Sequence, residues 1–270
     1  MNDLTKKIIQ SVSGLFVFAI IPFIVGCSDS TSTENGQGQI KITMVDNPAE
    51  YEEVNVVVVR VEVHKAGADS NSNWVVLNNT ETTYNLLKLR NGASAIIGTN
   101  SLESGHYTQI RLILGTGNTI VVNGVRFGLD VSSVSETGIK LNHEFDIQTG
   151  SLYELVLDFD VQHSIIFTGN ERYKLSPVIR VVPLLKAGTI SGKVLPIDAY
   201  ASVDAINVKI TISTIADILT GSFKLMAVED GTYDVKITSK NPAYRDTTFI
   251  NVYVAAKQNT NLGSIILNLK

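Results

Sequence analysis

Asp158 and Asp160 are the residues whose type and spacing come closest to a chemical site. They alternate with Leu157, Phe159 and Val161, so a strand would place both carboxylates on one face, about 7 Å apart. Such a pair suits a calcium ion, or a general acid–base pair. Acids at every second position are also typical of the solvated face of an amphipathic strand, which is the favoured interpretation. Calcium at Asp158 and Asp160 is retained as the candidate metal site.

Residues 69–73, which read DSNSN, have the start of a second calcium-binding pattern. The next position requires glycine and is Trp74, and the twelfth position requires an acid and is Thr80. Because two key positions fail, the segment is predicted to be a polar hairpin loop, which Asp, Asn and Ser commonly build.

The histidines and nucleophiles show no catalytic motif. No histidine pair has zinc-site spacing, and His163, three residues after Asp160, gives the pairing worth testing. Ser94 lacks the glycine that closes a nucleophile elbow. The sequence therefore predicts that the protein is not an enzyme. The alternative is a metal-dependent hydrolase that uses Asp158, Asp160 and one of the histidines, which are His64, His106, His143 and His163.

Several aromatic side chains could stack on sugars, although aromatic residues at strand ends more often belong to the core. A carbohydrate site would require an exposed row of them. The candidates are Tyr51, Trp74, Tyr84, Tyr107 and Tyr153.

Cys27 is the single cysteine of the chain and closes the run Ile24-Val25-Gly26-Cys27 behind an apolar stretch over residues 8–25. Two lysines precede that stretch, so the region has the three parts of an export signal. The pattern resembles a bacterial lipoprotein, with residues 1–26 as the signal peptide and Cys27 as the lipidation site. An uncleaved anchor is the alternative, because the apolar stretch is just long enough to span a bilayer.

Residues 27–38 contain the predicted lipidated cysteine and a flexible tether, because the segment after it is polar and rich in Ser, Thr and Gly. Ser28 is not the aspartate that marks inner-membrane retention in one Gram-negative sorting system. That resemblance favours lipid anchoring at the outer membrane, on a face that the sequence does not specify.

The charge balance argues against some partners. The chain carries a net charge of −4, and removal of residues 1–26, which carry a net +1, leaves −5. No block of Lys and Arg occurs, so the sequence argues against nucleic acid as a partner.

Residues 39–185 read as a first β-sandwich domain. Strands are predicted at 39–45, 54–63, 105–114, 139–147, 152–161 and 173–184, and Asn123-Gly124 between apolar runs predicts a hairpin. Along 54–63 the odd-numbered residues are expected to share one face, and the far end of the other face, with Glu62 and His64, is expected to open to water. The clustered leucines of 84–97 suggest the one helix or coiled turn. The fold class is therefore all-β.

Residues 188–270 read as a second, smaller sandwich of the immunoglobulin or transthyretin type. Its strands are predicted at 189–195, 206–213, 222–228, 233–238, 247–254 and 262–269, with turn residues between them.

The first unit resembles a lipoprotein family catalogued as domain of unknown function 4382, which implies no particular activity. The stretches that carry the resemblance are 45–48, 61–64, Trp74, 84–89, 105–112, 138–141, 157–160 and 173–181. The second unit resembles the carboxypeptidase regulatory-like domain, through 188–194, 221–225, 231–235 and 262–267. That class of sandwich is an accessory module beside other domains, and the likeness by itself does not imply ligand binding.

These features together predict a lipid-anchored envelope protein with a non-catalytic binding, adhesive or structural role. Its expected ligand is a glycan or another envelope protein, and carbohydrate is the sharpest candidate. No cofactor is expected, apart from the candidate calcium ion.

Overall fold

The computed structural model describes residues 36–67, 72–131 and 138–270. The predicted signal peptide, Cys27 and most of the predicted tether lie outside the described residues. Residues 35–270 form one compact unit with its own apolar cores. Within the described ranges no helix is both long and apolar enough to cross a membrane.

The all-β prediction is confirmed. The strands of the first part, in chain order, are β1 (Gln37–Asn47), β2 (Glu53–Lys65), β3 (Trp74–Asn78), β4 (Thr82–Asn85), β5 (Ala95–Glu103), β6 (Gly105–Leu114), β7 (Thr119–Val122), β8 (Val125–Val131), β9 (Ile139–Ile147), β10 (Leu152–Asp160), β11 (Ile165–Gly169), β12 (Arg172–Leu175) and β13 (Ile179–Pro183). One short helix, α1 (Val161–Ser164), joins β10 to β11.

These strands form two sheets that face each other. The smaller sheet has the order β13-β10-β1-β5, and β1 pairs with β10 in parallel. The larger sheet has the order β11-β12-β8-β7-β2-β6-β9, and β3 and β4 also pair with β2. Period-two side chains of both sheets fill the core between them. Those of β1 are Ile40, Ile42 and Met44, each fully buried.

A bulge in β2 corrects the predicted alternation of that strand. The register against β6 shifts between Val58 and Arg60. The extra residue exchanges the two faces, so Val54, Val56 and Val58 share the core with Val61 and Val63.

The far end of β2 does not open to water as predicted. Glu62 and His64 are buried there. The carboxylate of Glu62 accepts a hydrogen bond from Arg111 Nε at 2.7 Å, and the Arg111 guanidinium lies 4.0 Å from the centre of the Trp74 ring on β3. The added strand β3 therefore covers a face that the sequence pattern suggested was exposed.

Of the helix or coiled turn predicted over 84–97, the structure contains a short 3₁₀ turn at Leu86–Lys88 and no longer helix. Leu86 and Leu87 are buried in the core, and the backbone then reverses through Asn91 and Gly92, both with positive φ. Such a reversal cannot continue a helix. The leucine cluster reflects burial of one turn and not helical periodicity.

The second part contains β14 (Ala187–Leu195), β15 (Ser202–Ile206), β16 (Thr211–Ile215), β17 (Ser222–Glu229), β18 (Gly231–Thr238), β19 (Thr247–Val254) and β20 (Asn259–Ile266). They form a three-stranded sheet, β17-β14-β20, and a four-stranded sheet, β16-β15-β18-β19. Their inner faces enclose a second core. This agrees with the predicted small sandwich.

Several predicted strand boundaries are wrong. Residues 206–213 are not one strand, because Asn207 Oδ1 accepts hydrogen bonds from the N–H groups of Lys209 and Ile210 and closes a turn between β15 and β16. Residues 173–184 split into β12 and β13, because Pro177 cannot donate to a ladder. β1 begins at Gln37, inside the predicted tether.

The sheets of the two parts are separate where a domain boundary was predicted. No described strand pairs across the 3₁₀ turn Leu184–Lys186 that joins β13 to β14. The parts nevertheless belong to one compact unit, so their division into two domains stays a prediction.

Candidate functional site

Asp158 is buried between the two sandwiches and does not form an open acid–base pair. It projects from the outer face of β10, and 3% of the residue is exposed. Arg180 on β13 donates to its Oδ2 from Nη2 at 2.7 Å and from Nε at 3.2 Å. Burial raises the pKa of the Asp158 carboxyl, and Arg180 opposes that rise.

The same Arg180 reaches into the second sandwich. Its Nη2 donates to the carbonyl of Ala227 at 3.0 Å. That carbonyl is available because β17 has a bulge against β14 between Gly188 and Ile190, where Ala227 has a φ of 53°. Asp158, Arg180 and Ala227 therefore form a junction clamp between the two sandwiches.

Asp160 caps the turn that follows β10. Its Oδ1 accepts from the His163 N–H at 3.1 Å, and its Oδ2 is 2.7 Å from His163 Nδ1. The pairing of Asp160 with His163 expected from the sequence is thus present, as a local helix cap. Calcium at Asp158 and Asp160 stays a prediction, and the ion would have to displace Arg180 and His163. Among the described residues no group of three or more His, Cys, Asp and Glu is arranged to hold a metal ion.

The remaining histidines lie on three neighbouring strands of the larger sheet. His64 of β2 contacts Thr108 at 3.0 Å and the Trp74 ring at 5.0 Å. His106 of β6 pairs with Asp146 at 2.9 Å. Burial, with a smaller effect from Lys186, lowers the pKa of His143 on β9. The structure does not bring these residues to Asp158.

Asp46 is a buried acid that the sequence analysis did not single out as a site. It follows the core residues of β1, and its Oδ1 lies 3.4 Å from the N–H of Val161. Its Oδ2 has no hydrogen-bond partner among the described residues. Burial raises the pKa of Asp46 to about 9, against the opposing effects of the Val161 N–H and Arg90. Asp46 is therefore a neutral carboxylic acid at pH 7.

The aromatic residues that the sequence suggested for sugar stacking mostly belong to the core. Tyr107 is fully buried and stacks on Phe145, which in turn stacks on Tyr153. Trp74 packs on Arg111, and Tyr84 packs against the first core. Tyr51 is half-buried, as Trp74, Tyr84 and Tyr153 are, and lies near Tyr173.

An aromatic row nevertheless crosses the outer strands of the larger sheet, formed by Phe127 of β8, Tyr173 of β12 and Phe167 of β11. The ring centres are 5.3 Å apart from Phe127 to Tyr173 and 5.2 Å apart from Tyr173 to Phe167. The rings are tilted by 47° and 48°. Phe127 and Tyr173 are half-buried and pack in part against the first core, and 61% of Phe167 is exposed.

Local turns and strand pairing bring the row together. Asn123 and Gly124 have positive φ, as the predicted hairpin requires, and set β8 against β7. Asn170 and Glu171 also have positive φ and set Phe167 opposite Tyr173. The parallel pairing of β12 with β8 adds Phe127. The sequence analysis missed this row. The uncharged run that ends at Phe167 could have indicated an exposed apolar strand, but no feature of the sequence indicated that β8 pairs with β12.

A protein-family model described as "Domain of unknown function (DUF4382)" matches residues 37–177. A search of the curated proteins finds no match to the chain.

Solved structures give weak likenesses. A mutant type II cohesin–X-dockerin complex from Acetivibrio cellulolyticus contains a chain 28% identical, with 30% of this chain and 58% of that chain covered and a TM-score of 0.25. The Bacillus anthracis TIE protein is 15% identical, with 87% and 34% covered and a TM-score of 0.21. The minor pilin GBS52 of Streptococcus agalactiae is 10% identical, with 86% and 96% covered and a TM-score of 0.24. At these TM-scores the likenesses support no argument about function.

Proposed function

The chain belongs to the family of domain of unknown function 4382, and we propose that it is a non-catalytic glycan-binding module held at the cell envelope by lipid on Cys27. The observation that carries the proposal is the aromatic row Phe127–Tyr173–Phe167, which lies on neighbouring strands with one end open to solvent.

The geometry of the row suits a chain of sugars. Aromatic faces provide a large and rigid apolar contact, and a tyrosine hydroxyl adds a polar group for orientation. Tyr51 and Tyr173 provide two such hydroxyls near one another. Neighbouring rings are tilted by 47° and 48°, more than the ordinary twist between adjacent strands, so a bound oligosaccharide would have to turn from one ring to the next.

The surroundings of the acids support a role without catalysis. Asp158 is covered by Arg180 and the second sandwich, and Asp160 is engaged in a helix cap. A hydrolase would need these carboxylates and a histidine around one accessible pocket. The outer face of β10 instead serves as a contact surface between two sandwiches.

Anchoring rests on the residues before β1. The run Ile24-Val25-Gly26-Cys27 ends the predicted signal, and nine residues separate Cys27 from Gln37. Fully extended, nine residues span about 30 Å, enough to hold the sandwiches away from a bilayer. Mass spectrometry of the protein from its membrane fraction should find the amino terminus at an acylated Cys27. Intact Met1 without an acyl group would contradict the anchoring.

The glycan proposal is tested with the fragment of residues 35–270, the compact unit, on a panel of cello-, chito-, xylo- and manno-hexaoses. Calorimetry should detect binding of at least one sugar, weakened tenfold or more, about 1.4 kcal/mol, by Phe167→Ala and by Tyr173→Ala. The control Tyr253→Ala removes an aromatic residue that is 64% exposed on β19, and affinity should persist.

Equal affinity in all three variants would refute the role of the row. A blank panel would refute recognition of these sugars and would leave an envelope protein, the alternative ligand class, as the occupant to test by crosslinking from position 167.

A further inference from the structure

A cleft of about 590 Å³ lies between the two sandwiches, and none of the three aromatic residues of the row lines it. Its floor is made by the outer face of β10, by the link after β13 and by the bulged part of β17. The floor side chains are Leu152, Val156, Leu184, Leu185 and Met226. A cavity of this size at a junction of two folded parts is within the range that small ligands occupy.

The cleft exists because the sandwiches contact each other along one line and then diverge. Val156 and Val182 pack on Ala187 and Ala227 beside the junction clamp. Toward the start of β10 the second sandwich no longer covers the sheet, and Leu152 and Leu185 are each 49% exposed. These two leucines leave apolar area on a concave surface that the described part of the chain does not cover.

Two lysines stand at the rim of this apolar floor. Lys224 belongs to β17, and Lys257 belongs to the turn between β19 and β20. Neither ammonium is paired with a carboxylate within the described ranges. The one acid among the lining residues, Glu154, is already paired with Lys41 at 2.7 Å. The rim therefore carries positive charge that the protein does not neutralise.

Both lysines are held in place by the backbone. Asn91 Oδ1 accepts from the Lys224 N–H at 2.6 Å, across the junction. Lys257 donates its N–H to the Ala187 carbonyl at 2.7 Å and has a φ of 60°. A lysine in this left-handed conformation is strained where glycine would not be, and such strain is found at functional positions.

We infer that this cleft binds a single-chain anionic amphiphile, with its apolar chain on Leu152, Leu185 and Met226 and its carboxylate or phosphate head between Lys224 and Lys257. Charge complementarity selects an anion, and the apolar floor selects a ligand with an apolar body. The site is separate from the aromatic row and does not depend on it.

The test uses calorimetry on the 35–270 fragment with decanoate and with decyl phosphate, each below its micelle concentration. Both probes should bind, and their relative affinities identify which head group is preferred. Decyltrimethylammonium has the same chain with the opposite charge and should bind at least tenfold more weakly. Equal binding of the cationic probe, or no binding of either anion, would overturn the inference.

Variants locate the site. Lys224→Met with Lys257→Met keeps apolar stems and should weaken the binding of the anionic probes tenfold or more. The control pair Lys193→Met with Lys236→Met removes the same charge from exposed positions on β14 and β18 and should leave binding unchanged. Equal losses in the two pairs would show that net charge alone attracts the probes and would overturn the site.

Lys257→Gly separates a ligand role from a structural one. Glycine relieves the left-handed strain, so the Tm should stay the same or rise while the affinity for the anionic probes falls at least threefold. Retained affinity in this variant would remove Lys257 from the site and contradict the paired-lysine arrangement.

Discussion

At the scale of single residues, Asp158 positions Arg180, and Arg180 in turn donates a hydrogen bond to Ala227 of the second sandwich. Arg180→Met should destabilise the protein by about 3 kcal/mol, because it leaves the Asp158 carboxylate buried without its partner. The double variant Arg180→Met/Asp158→Leu should recover most of that loss, since no buried charge remains. Denaturant unfolding of the 35–270 fragment measures both. A double variant less stable than Arg180→Met would contradict this account of the clamp.

Asp46 should make the protein less stable as the pH rises. Its pKa is about 9 in the folded protein and near 3.8 in the unfolded chain, so between these values the folded state holds a proton that the unfolded state has released. The stability contributed by Asp46 is greatest below pH 4 and falls by up to about 1.4 kcal/mol per pH unit up to pH 9.

Asp46→Asn should remove this dependence, because the amide cannot ionise and its oxygen can still accept from Val161. The variant should match the parent near pH 4 and exceed it by about 2 kcal/mol or more at pH 8. Asp130→Asn, at an exposed position of β8, is the control and should leave the pH profile of stability unchanged. A parallel profile for Asp46→Asn and the parent would show that Asp46 is not the titrating group.

Residue patterns predicted part of this site and missed the rest for a physical reason. The alternation around Asp158 and Asp160 indicated a strand face, and the spacing to His163 indicated a contact that is present. What covers Asp158 depends on Arg180, 22 residues later, and on Ala227 of the other sandwich. Sequence spacing carries no information about such long-range neighbours.

At the scale of elements, irregularities in strands shape the surfaces. The bulge at Ala227 turns the carbonyl of that residue toward Arg180. It also requires a left-handed backbone conformation at Ala227, although the residue is not glycine. Ala227→Gly should therefore stabilise the 35–270 fragment by about 0.5–1 kcal/mol, because glycine adopts this conformation without strain. Ala227→Val should destabilise it, since a β-branched residue disfavours positive φ. Thermal unfolding checks both, and a loss of stability in the glycine variant would contradict the strain argument.

Some strands were predicted to the residue whether they lie inside a sheet, as β6 does, or at its edge, as β9 and β19 do. The bounds of β6, β9 and β19 agree to the residue with those read from apolar alternation. The bulge in β2 and the break before β13 were not predictable to the same degree. A bulge is set by the register of the partner strand, as between Val58 and Arg60, and a single strand's pattern does not contain that register.

At the scale of the whole molecule, the two sandwiches should unfold together. The clamp is reinforced by Asn91, whose side chain donates to the Ser222 carbonyl at 3.2 Å and accepts from the Lys224 N–H. The side chain of Asn91 thus makes hydrogen bonds from the first sandwich to the backbone of the edge strand β17. Calorimetry of the 35–270 fragment should show one transition, and Asn91→Ala/Arg180→Met should separate it into two. Two transitions in the parent fragment would show that the two sandwiches unfold independently and would contradict this prediction.

The parallel pairing of β1 with β10 has a consequence for the order in which the chain folds. The bonded side chains of Lys41 and Glu154 are 113 residues apart in sequence, and β1 is an inner strand of its sheet. Closing so long a loop lowers the entropy of the chain before the contacts between the two strands form. Folding of this topology is therefore slow. Before Asp160 has been synthesised, β1 can pair with β5 but not along its full length with β10. The smaller sheet therefore stays incomplete until more than half of the chain has been synthesised.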